Sequence, residues 1–510
     1  MIRLNAMDQA FLMLETEHRP MNIGALMELA PPAGFSGDLA RHIVDAMLQR
    51  PVGPPFNHRL LQGPGPLGLG FTADDDIDAT AQIHFHALPG PRDRRAWFDA
   101  VCEIHEQRLD RSEPLWQLHV FRGLPGGRVG LYFKTHHVLV DGIGFLHIFE
   151  RIVSATANHR ETHAIWEGYG RDHSPEKAPV PQDLAARLLG AAVGTTGNLL
   201  GAGAMAARML MRGAGGGSGL SLPFINTPSA LKAPPSPHRV LGHCALNLTR
   251  VKRVAKRGGG TVNDVLLTVL DIAISRYSCE QDDVPDRPLI VDMPVALSKE
   301  AGTGNRVAIL QLPLGRPGGT AAQRFGDIRA ETRRLKEEVR SVPGSVLELY
   351  TVATHSAASV IEMLRLSAVP MLANAVVSNP YGMTRKVYYN RCPVEMALPM
   401  SVVAHHQSVN ITATTYIDEL NITFLAMREA LPDIQRVAEY TVDALARLEA
   451  ELGEPLMPES ASSAGTEAAV SKPRSRTSAT AKSRPKSKSL LKTERTARKG
   501  KKGRKTRSKT

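Results

Sequence analysis

Hydrophobic residues recur along this chain at two spacings, and the spacing changes from segment to segment. Leu39, Ile43 and Met47 fall on one face of a helix, as do Trp97, Val101 and Ile104. Strand-like runs follow at Trp116–Phe121 and Val129–Thr135, joined by the turn Leu124-Pro125-Gly126-Gly127. Ile143–Val153 returns to helical spacing, with Phe145, Phe149, Ile152 and Val153 on its buried face. The second half repeats the alternation. Val265, Val269 and Ile272 predict a helix; Leu289–Val295 and Val307–Leu314 predict strands; Ala321–Val339 predicts a long polar helix. Val402-Val403, Val409–Thr415 and Leu420–Leu425 read as late strands. A last helix starts at Pro432, a favoured first-turn residue, and is expected to bury Ile434, Val437, Val442, Leu445 and Leu448. The pattern is α/β.

The alternation stops between the halves. Leu188–Ala207 is a run of 20 residues without charge, bounded by Arg187 and Arg208. Its length suits a membrane span, but its glycines and polar residues make it a poor one, so a helix at a membrane interface or packed on the protein is expected. Arg212–Gly219 is Gly-rich and reads as flexible. The expected division is an N-terminal domain over 1–180, a linker over 181–237, a C-terminal domain over 238–455 and a tail over 456–510.

Composition changes this picture in one respect. The net charge of the 510 residues is +12, but 17 Lys/Arg against two acids from residue 461 onward put +15 in the tail and leave −3 elsewhere. The tail holds too few large apolar residues to form a core and is expected to be disordered. It would attract polyanions, with anionic lipid at a membrane or lipid-droplet surface the favoured partner. No aromatic residue interleaves its charges, which argues against base stacking. Cys102, Cys244, Cys279 and Cys392 have neither CxxC nor zinc-site spacing, as expected in a reducing cytosol. No secretory apolar run follows Met1, so no export is expected.

The candidate chemistry lies at His136-His137-Val138-Leu139-Val140-Asp141-Gly142, between a strand and a helix. An imidazole titrates near neutrality and takes a proton from a hydroxyl. Alternation puts Val129, Leu131, Phe133, Thr135 and His137 on one strand face, and Gly130, Tyr132, Lys134 and His136 on the other. His137 is therefore the candidate base, ending the apolar row, and His136 has a supporting role. Asp141 and Gly142 form the turn, with Asp141 stabilising or orienting it. In the second half, Thr261 and Asp264 resemble an acidic capping box at a helix start, beside Asn263. Asn263 could hydrogen-bond the catalytic histidine, the substrate or a developing oxyanion. Glu15 is a weaker candidate for orienting an imidazole.

Taken in order, these segments resemble the bacterial wax ester synthase/diacylglycerol acyltransferase family, which carries HHxxxDG. Met7-Asp8, Phe11-Leu12, Glu15 and Pro20-Met21-Asn22-Ile23-Gly24 resemble its opening segment. Pro114-Leu115-Trp116 matches its PLW motif, and Asn263-Asp264 its ND motif. Pro223-Phe224-Ile225-Asn226, Met293-Pro294-Val295 and Gly304-Asn305 resemble later segments. Ser378-Asn379-Pro380-Tyr381-Gly382 resembles SN-x-PG with the proline one position early. HHxxxDG alone is shared with peptide-synthetase condensation domains; the ordered set is more specific.

The resemblance implies two chloramphenicol-acetyltransferase-like domains, each a mixed sheet with helices, and an active site between them. It implies transfer of a long-chain acyl group from acyl-CoA to diacylglycerol, a fatty alcohol or both. His137 would be the general base, and no covalent acyl-enzyme would form. Trp116, Asp264, Ser378 and Asn379 are substrate-binding candidates, although Trp116 also suits a core and 378–382 a tight turn. No metal or redox cofactor is implied; acyl-CoA is a co-substrate. The expected location is cytoplasmic, peripheral to the inner membrane or lipid droplets. Two alternatives are a condensation-type enzyme using carrier-bound thioesters and a non-catalytic lipid binder.

Overall fold

Val129, Leu131 and Phe133 enter one hydrophobic core and Tyr132 enters another, so the strand before the paired histidines is buried on both faces. The computed structural model describes residues 2–4, 6–62, 69–88, 93–168, 223–224, 227–296, 307–342, 344–380 and 382–453. The first lobe contains β1 (Ile2–Arg3), α1 (Ala6–Leu14), β2 (Asn22–Leu29), α2 (Leu39–Leu48), β3 (His58–Gln62) and β4 (Leu69–Ala73). It continues through β5 (Ile83–Ala87), α3 (Arg94–His105), β6 (Trp116–Leu124), β7 (Arg128–His136), α4 (Gly142–Ile152) and β8 (Val153–Ser154). The second lobe begins with β9 (Arg239–Asn247), α5 (Leu248–Arg257), α6 (Val262–Glu280), β10 (Ile290–Ala296), β11 (Val307–Pro313), α7 (Ala321–Ser341) and α8 (Gly344–Met363). Then come β12 (Ala375–Ser378), β13 (Tyr388–Tyr389), β14 (Cys392–Met400), β15 (Val409–Tyr416), β16 (Glu419–Met427) and α9 (Ile434–Glu451).

The strands form a seven-stranded sheet, β5-β6-β7-β2-β14-β13-β8, a six-stranded sheet, β11-β10-β12-β15-β16-β9, and a small sheet, β1-β4-β3. The two larger sheets are mixed: β5–β6, β10–β12 and β12–β15 are parallel, and their other pairs are antiparallel. Each carries its own core. A third core joins Trp97, Phe121 and Tyr132 of the first lobe to Leu241, Leu425 and Met427 of the second.

The chain does not divide between sheets as it divides in sequence. β13 and β14 come from the second half but lie in the first sheet, where β14 pairs with β2. Pro393 and Pro399 obscured β14, because proline removes a ladder donor and argues against an inner strand. Its burial nevertheless alternates residue by residue. Val402-Val403 is not a strand; Val403 instead enters the shared core. Val442 is 40% exposed, because helical spacing gives the inner position to Thr441. Leu188–Ala207, Arg212–Gly219 and the basic tail lie outside the described residues.

A buried ion pair ties the N-terminal segment to the second lobe. Arg19 Nε and Nη2 donate to Glu362 on α8 at 2.9 and 2.7 Å, and Arg19 Nη1 donates to the Gln407 carbonyl. The side chains are only 2% and 9% exposed. Removing one partner strands the other charge without water. Arg19→Met is expected to cost about 3–5 kcal/mol. Arg19→Met/Glu362→Met should recover most of that loss, as measured by denaturant unfolding of the two proteins and Glu362→Met.

Candidate active site

β7 delivers the histidine pair, and pleating sends the two rings opposite ways. His137 extends the ladder beyond the strand by donating its backbone N–H to the Met21 carbonyl at 2.8 Å. Its ring is half-buried and stacks on Phe11, with centroids 4.3 Å apart. His136 is 1% exposed, and its Nδ1 accepts the Val138 N–H at 3.1 Å. That bond closes the turn from strand to helix and spends one ring nitrogen on the backbone.

Glu15 lies on the His136 side. Its Oε1 is 3.6 Å from His136 Nε2, a polar contact longer than a hydrogen bond. The same oxygen accepts the Met21 N–H at 3.0 Å, and Oε2 accepts Arg111 Nη2 at 3.1 Å. Burial alone would raise the carboxyl pKa. His136, the Met21 N–H and Arg111 together outweigh burial and hold it at about 2. The weak sequence candidate is thus a buried anion supporting His136, while Phe11 lies against His137.

Lys134 was absent from the sequence candidates for chemistry. Its ammonium donates to the Ile104 and Gln107 carbonyls at 2.8 and 2.6 Å. Burial pulls its pKa down to about 7 against the opposing charge of Glu15. Asn22 Nδ2 also donates to Gln107 O, and to His105 O. Both side chains therefore pin the end of α3 beside the histidine strand. A lysine inside an apolar strand is the signal that could have found this support, since such a charge requires buried acceptors.

Asp141 caps α4 by accepting the Gly144 N–H at 2.7 Å. Gly142 is not in the left-handed region, and a Cβ there would meet nothing within 4 Å. The turn itself therefore does not require glycine. Asn263 is half-buried in the first turn of α6. Asp264 Oδ2 accepts the Thr261 N–H and hydroxyl, and Oδ1 accepts the Thr332 hydroxyl. Both of its oxygens serve the cap and the contact with α7. Trp116 is a core residue, stacked on Phe133 and Trp166 with Nε1 donating to Phe56 O. Ser378 ends β12 beside Thr412, and Asn379 is exposed. Gly382 has a firm requirement: a Cβ would lie 1.9 Å from the Thr415 carbonyl oxygen.

A narrow apolar slot lies between α4 and the β2/β7 face, lined by residues including Ala25, Met27, Leu131, Phe133, Ile148 and Phe149. Leu131 and Phe133 belong to the strand row that leads to His137. The ligand atoms of His159, Glu161 and His163 lie within 4.8 Å of one another, with two of the three residues exposed. Sequence spacing had not singled out this group.

Two predictions test the supports. Glu15 is ionised in the folded protein down to about pH 2, against 4.5 for the ordinary group. Its contribution is fully present above about pH 5 and is lost as pH falls towards 2, an order of 3 kcal/mol. Acid unfolding of Glu15→Gln should lack this dependence. Separately, Asp141→Ala should cost about 1 kcal/mol through loss of the cap, while Asp141→Asn keeps most of the stability, as read by thermal unfolding.

Comparison with known proteins agrees with this architecture. Residues 4–266 match the wax ester synthase/diacylglycerol acyltransferase catalytic domain, and residues 303–449 match the WS/DGAT C-terminal domain. The chain is 30% identical over 455 residues to the probable diacylglycerol O-acyltransferase tgs2 of Mycobacterium tuberculosis, covering 88% of this chain and 98% of that protein. It is 28% identical over 472 residues to the probable diacylglycerol O-acyltransferase Tgs4 of the same organism, covering 89% and 98%. The wax ester synthase/diacylglycerol acyltransferase from Marinobacter aquaeolei VT8 has the same fold, with TM-score 0.67, 24% identity and coverage of 89% and 100%. The first condensation domain of the CDA synthetase matches at TM-score 0.52 and 15% identity, with coverage of 87% and 96%. The two lobes are the chloramphenicol-acetyltransferase-like pair that the family resemblance implied. With both family domains matched in order around the HHxxxDG turn, the chain belongs to the wax ester synthase/diacylglycerol acyltransferase family.

Proposed function

We propose that this protein transfers a long-chain acyl group from acyl-CoA to diacylglycerol, a fatty alcohol or both, with His137 as general base. The opposite settings of the two histidines carry this reading. His136 is buried against Glu15 and the backbone, whereas His137 is half-buried at the end of an apolar row. An alcohol oxygen attacks the thioester carbonyl as His137 takes its proton. The tetrahedral oxyanion collapses, the C–S bond breaks, and the proton passes from His137 to the CoA thiolate. The products are an ester and free CoA, with no acyl-enzyme between them.

The other residues divide by task. His136 fixes the turn through Val138, and Asp141 starts α4. Asn263 is the second-lobe amide assigned to the substrate or oxyanion. Trp116 and Asp264 hold the walls and the α6 cap rather than substrate. The slot beside α4 is apolar and shares the face that leads to His137, but it has room for about one water molecule and must open to admit an acyl chain. Association with a membrane or lipid droplet would be peripheral; no described helix is long and apolar enough to cross a membrane.

The likeness to a condensation domain favours one second reading, transfer from a carrier-bound thioester. Thiol release with diacylglycerol and with hexadecanol separates the two. Wild type should release CoA from palmitoyl-CoA only when acceptor is present, and His137→Ala should lose about 10²–10⁴ of that rate while remaining folded. Full turnover by folded His137→Ala would reject the assignment. Activity only on carrier-bound donors would favour the second reading, and lipid binding without any transfer would favour a non-catalytic binder. Ala25→Leu should slow palmitoyl transfer more than octanoyl transfer by filling the slot; equal slowing would remove the slot from the acyl path.

A further inference from the structure

Helix α8 ends in an exposed apolar knuckle. Val360, Met363, Leu364 and Leu366 are 51%, 62%, 64% and 46% exposed. Four of the eleven exposed large hydrophobics among the described residues thus lie within one short stretch, while the others are scattered. Val360, Met363 and Leu364 share a face by helical spacing. Every exposed residue of α8 whose side chain is described is uncharged: Ala353, Ser356, Val360 and Met363. A surface helix normally turns charged or polar residues to water, and clustered exposed apolar side chains mark an interaction site.

The end of the helix adds a second observation. The Leu366 N–H bonds to the Ile361 carbonyl and the Arg365 N–H to the Glu362 carbonyl, at 3.0 and 2.9 Å. This is a Schellman ending, whose left-handed position ordinarily takes glycine. Here it is Arg365, with φ +53°. The following residue commonly packs back on its helix, but Leu366 remains exposed. A strained residue thus holds a cation among uncovered apolar side chains.

The exposed charge carried by this stretch of chain has one sign. Glu362, the only acid from Ala353 to Met371, turns inward to Arg19 and the His406 N–H. Exposed Lys232 donates to the Ser367 and Val369 carbonyls at 2.5 and 2.9 Å, holding the next turn beside the knuckle. Apolar side chains flanked by Arg365 and Lys232 complement a surface with anionic groups outside and hydrocarbon beneath.

We infer that the C-terminal end of α8, from Val360 to Leu366, docks the enzyme on an anionic phospholipid surface, with Met363, Leu364 and Leu366 entering the acyl region and Arg365 and Lys232 meeting the headgroups. This deepens the proposed lipid reaction by giving the folded body a lipid-facing surface separate from the basic tail.

The full-length chain permits a site-specific test. Cys102, Cys244 and Cys392 are buried, and burial pushes the last two thiols up to about 12; Cys279 is exposed. An environment-sensitive fluorophore on Cys279 of the wild type is the control, and one on Cys279→Ser/Leu364→Cys reports the knuckle. With phosphatidylcholine/phosphatidylglycerol vesicles, the Leu364 probe should brighten and shift to shorter wavelength while the Cys279 probe does not. Met363→Ser/Leu364→Ser should weaken vesicle pelleting by on the order of tenfold per side chain. Arg365→Gly should retain or raise thermal stability while weakening pelleting about fivefold. A fully structural role for Arg365 predicts no such division.

Pelleting without a probe shift would place docking elsewhere, including on the tail, and would overturn the proposal. Absence of pelleting would overturn it too. A shift that follows protein concentration without vesicles would assign the knuckle to a second copy of the chain. CoA release measured with detergent-dispersed hexadecanol keeps the two readings distinct. Insertion without acyl transfer would preserve the surface and reject the reaction, whereas transfer without insertion would do the reverse.

Discussion

Two carboxylates withheld from water, Glu15 and Glu362, fix the N-terminal segment against both lobes. Glu15 accepts the Met21 N–H and Arg111 beside His136. Four residues on, Arg19 reaches Glu362 on α8 and the Gln407 carbonyl. Met21 then receives the His137 N–H, and Asn22 begins β2 as the partner of β7. The position of the candidate base therefore depends on a short segment held at both ends by buried charge. Such pairs add little net stability over apolar replacements, but breaking one is costly, which gives the segment a single seating.

The same segment explains why two adjacent histidines have different properties. Strand alternation alone assigns them to opposite faces. It does not determine which face is closed. Glu15, Lys134, Asn22 and the α3 carbonyls fill the His136 side with satisfied polar groups. Phe11 lies along His137 and leaves its ring partly exposed. Burial thus gives two adjacent histidines different settings, one imidazole closed in against Glu15 and the backbone and one half-buried against Phe11.

Much of this was legible where a local rule decides the outcome. The alternation in Val129–His137 separated the two faces, and Thr261 with Asp264 marked a helix cap that the structure completes. Resemblance supplied the two-lobed fold. The losses came where the deciding partner is distant in sequence. β14 carries two prolines and is strand only because β2 and β13 flank it. Glu15 looked like a lone acid because Arg111 and His136 reach it from distant segments. Trp116 and Asp264 lie in family motifs, yet their polar atoms are engaged by Phe56, Thr261 and Thr332. A motif identifies residues that matter without separating those that hold the site from those that touch substrate.

Charge distribution completes the physical account of an enzyme for apolar substrates. Apart from its tail, the chain is slightly acidic, so general electrostatic attraction of the folded body to an anionic surface is weak. Orientation on such a surface would then have to come from local arrangement. Turning Glu362 inward does two things at once: it pairs Arg19, which seats the segment leading to His137, and it removes the one anion from the apolar end of α8. A basic tail can hold a protein near a membrane in many orientations. On the proposed docking surface, the knuckle on the helix that carries Glu362 would select one, through the same side chain that locks the N-terminal segment to the second lobe.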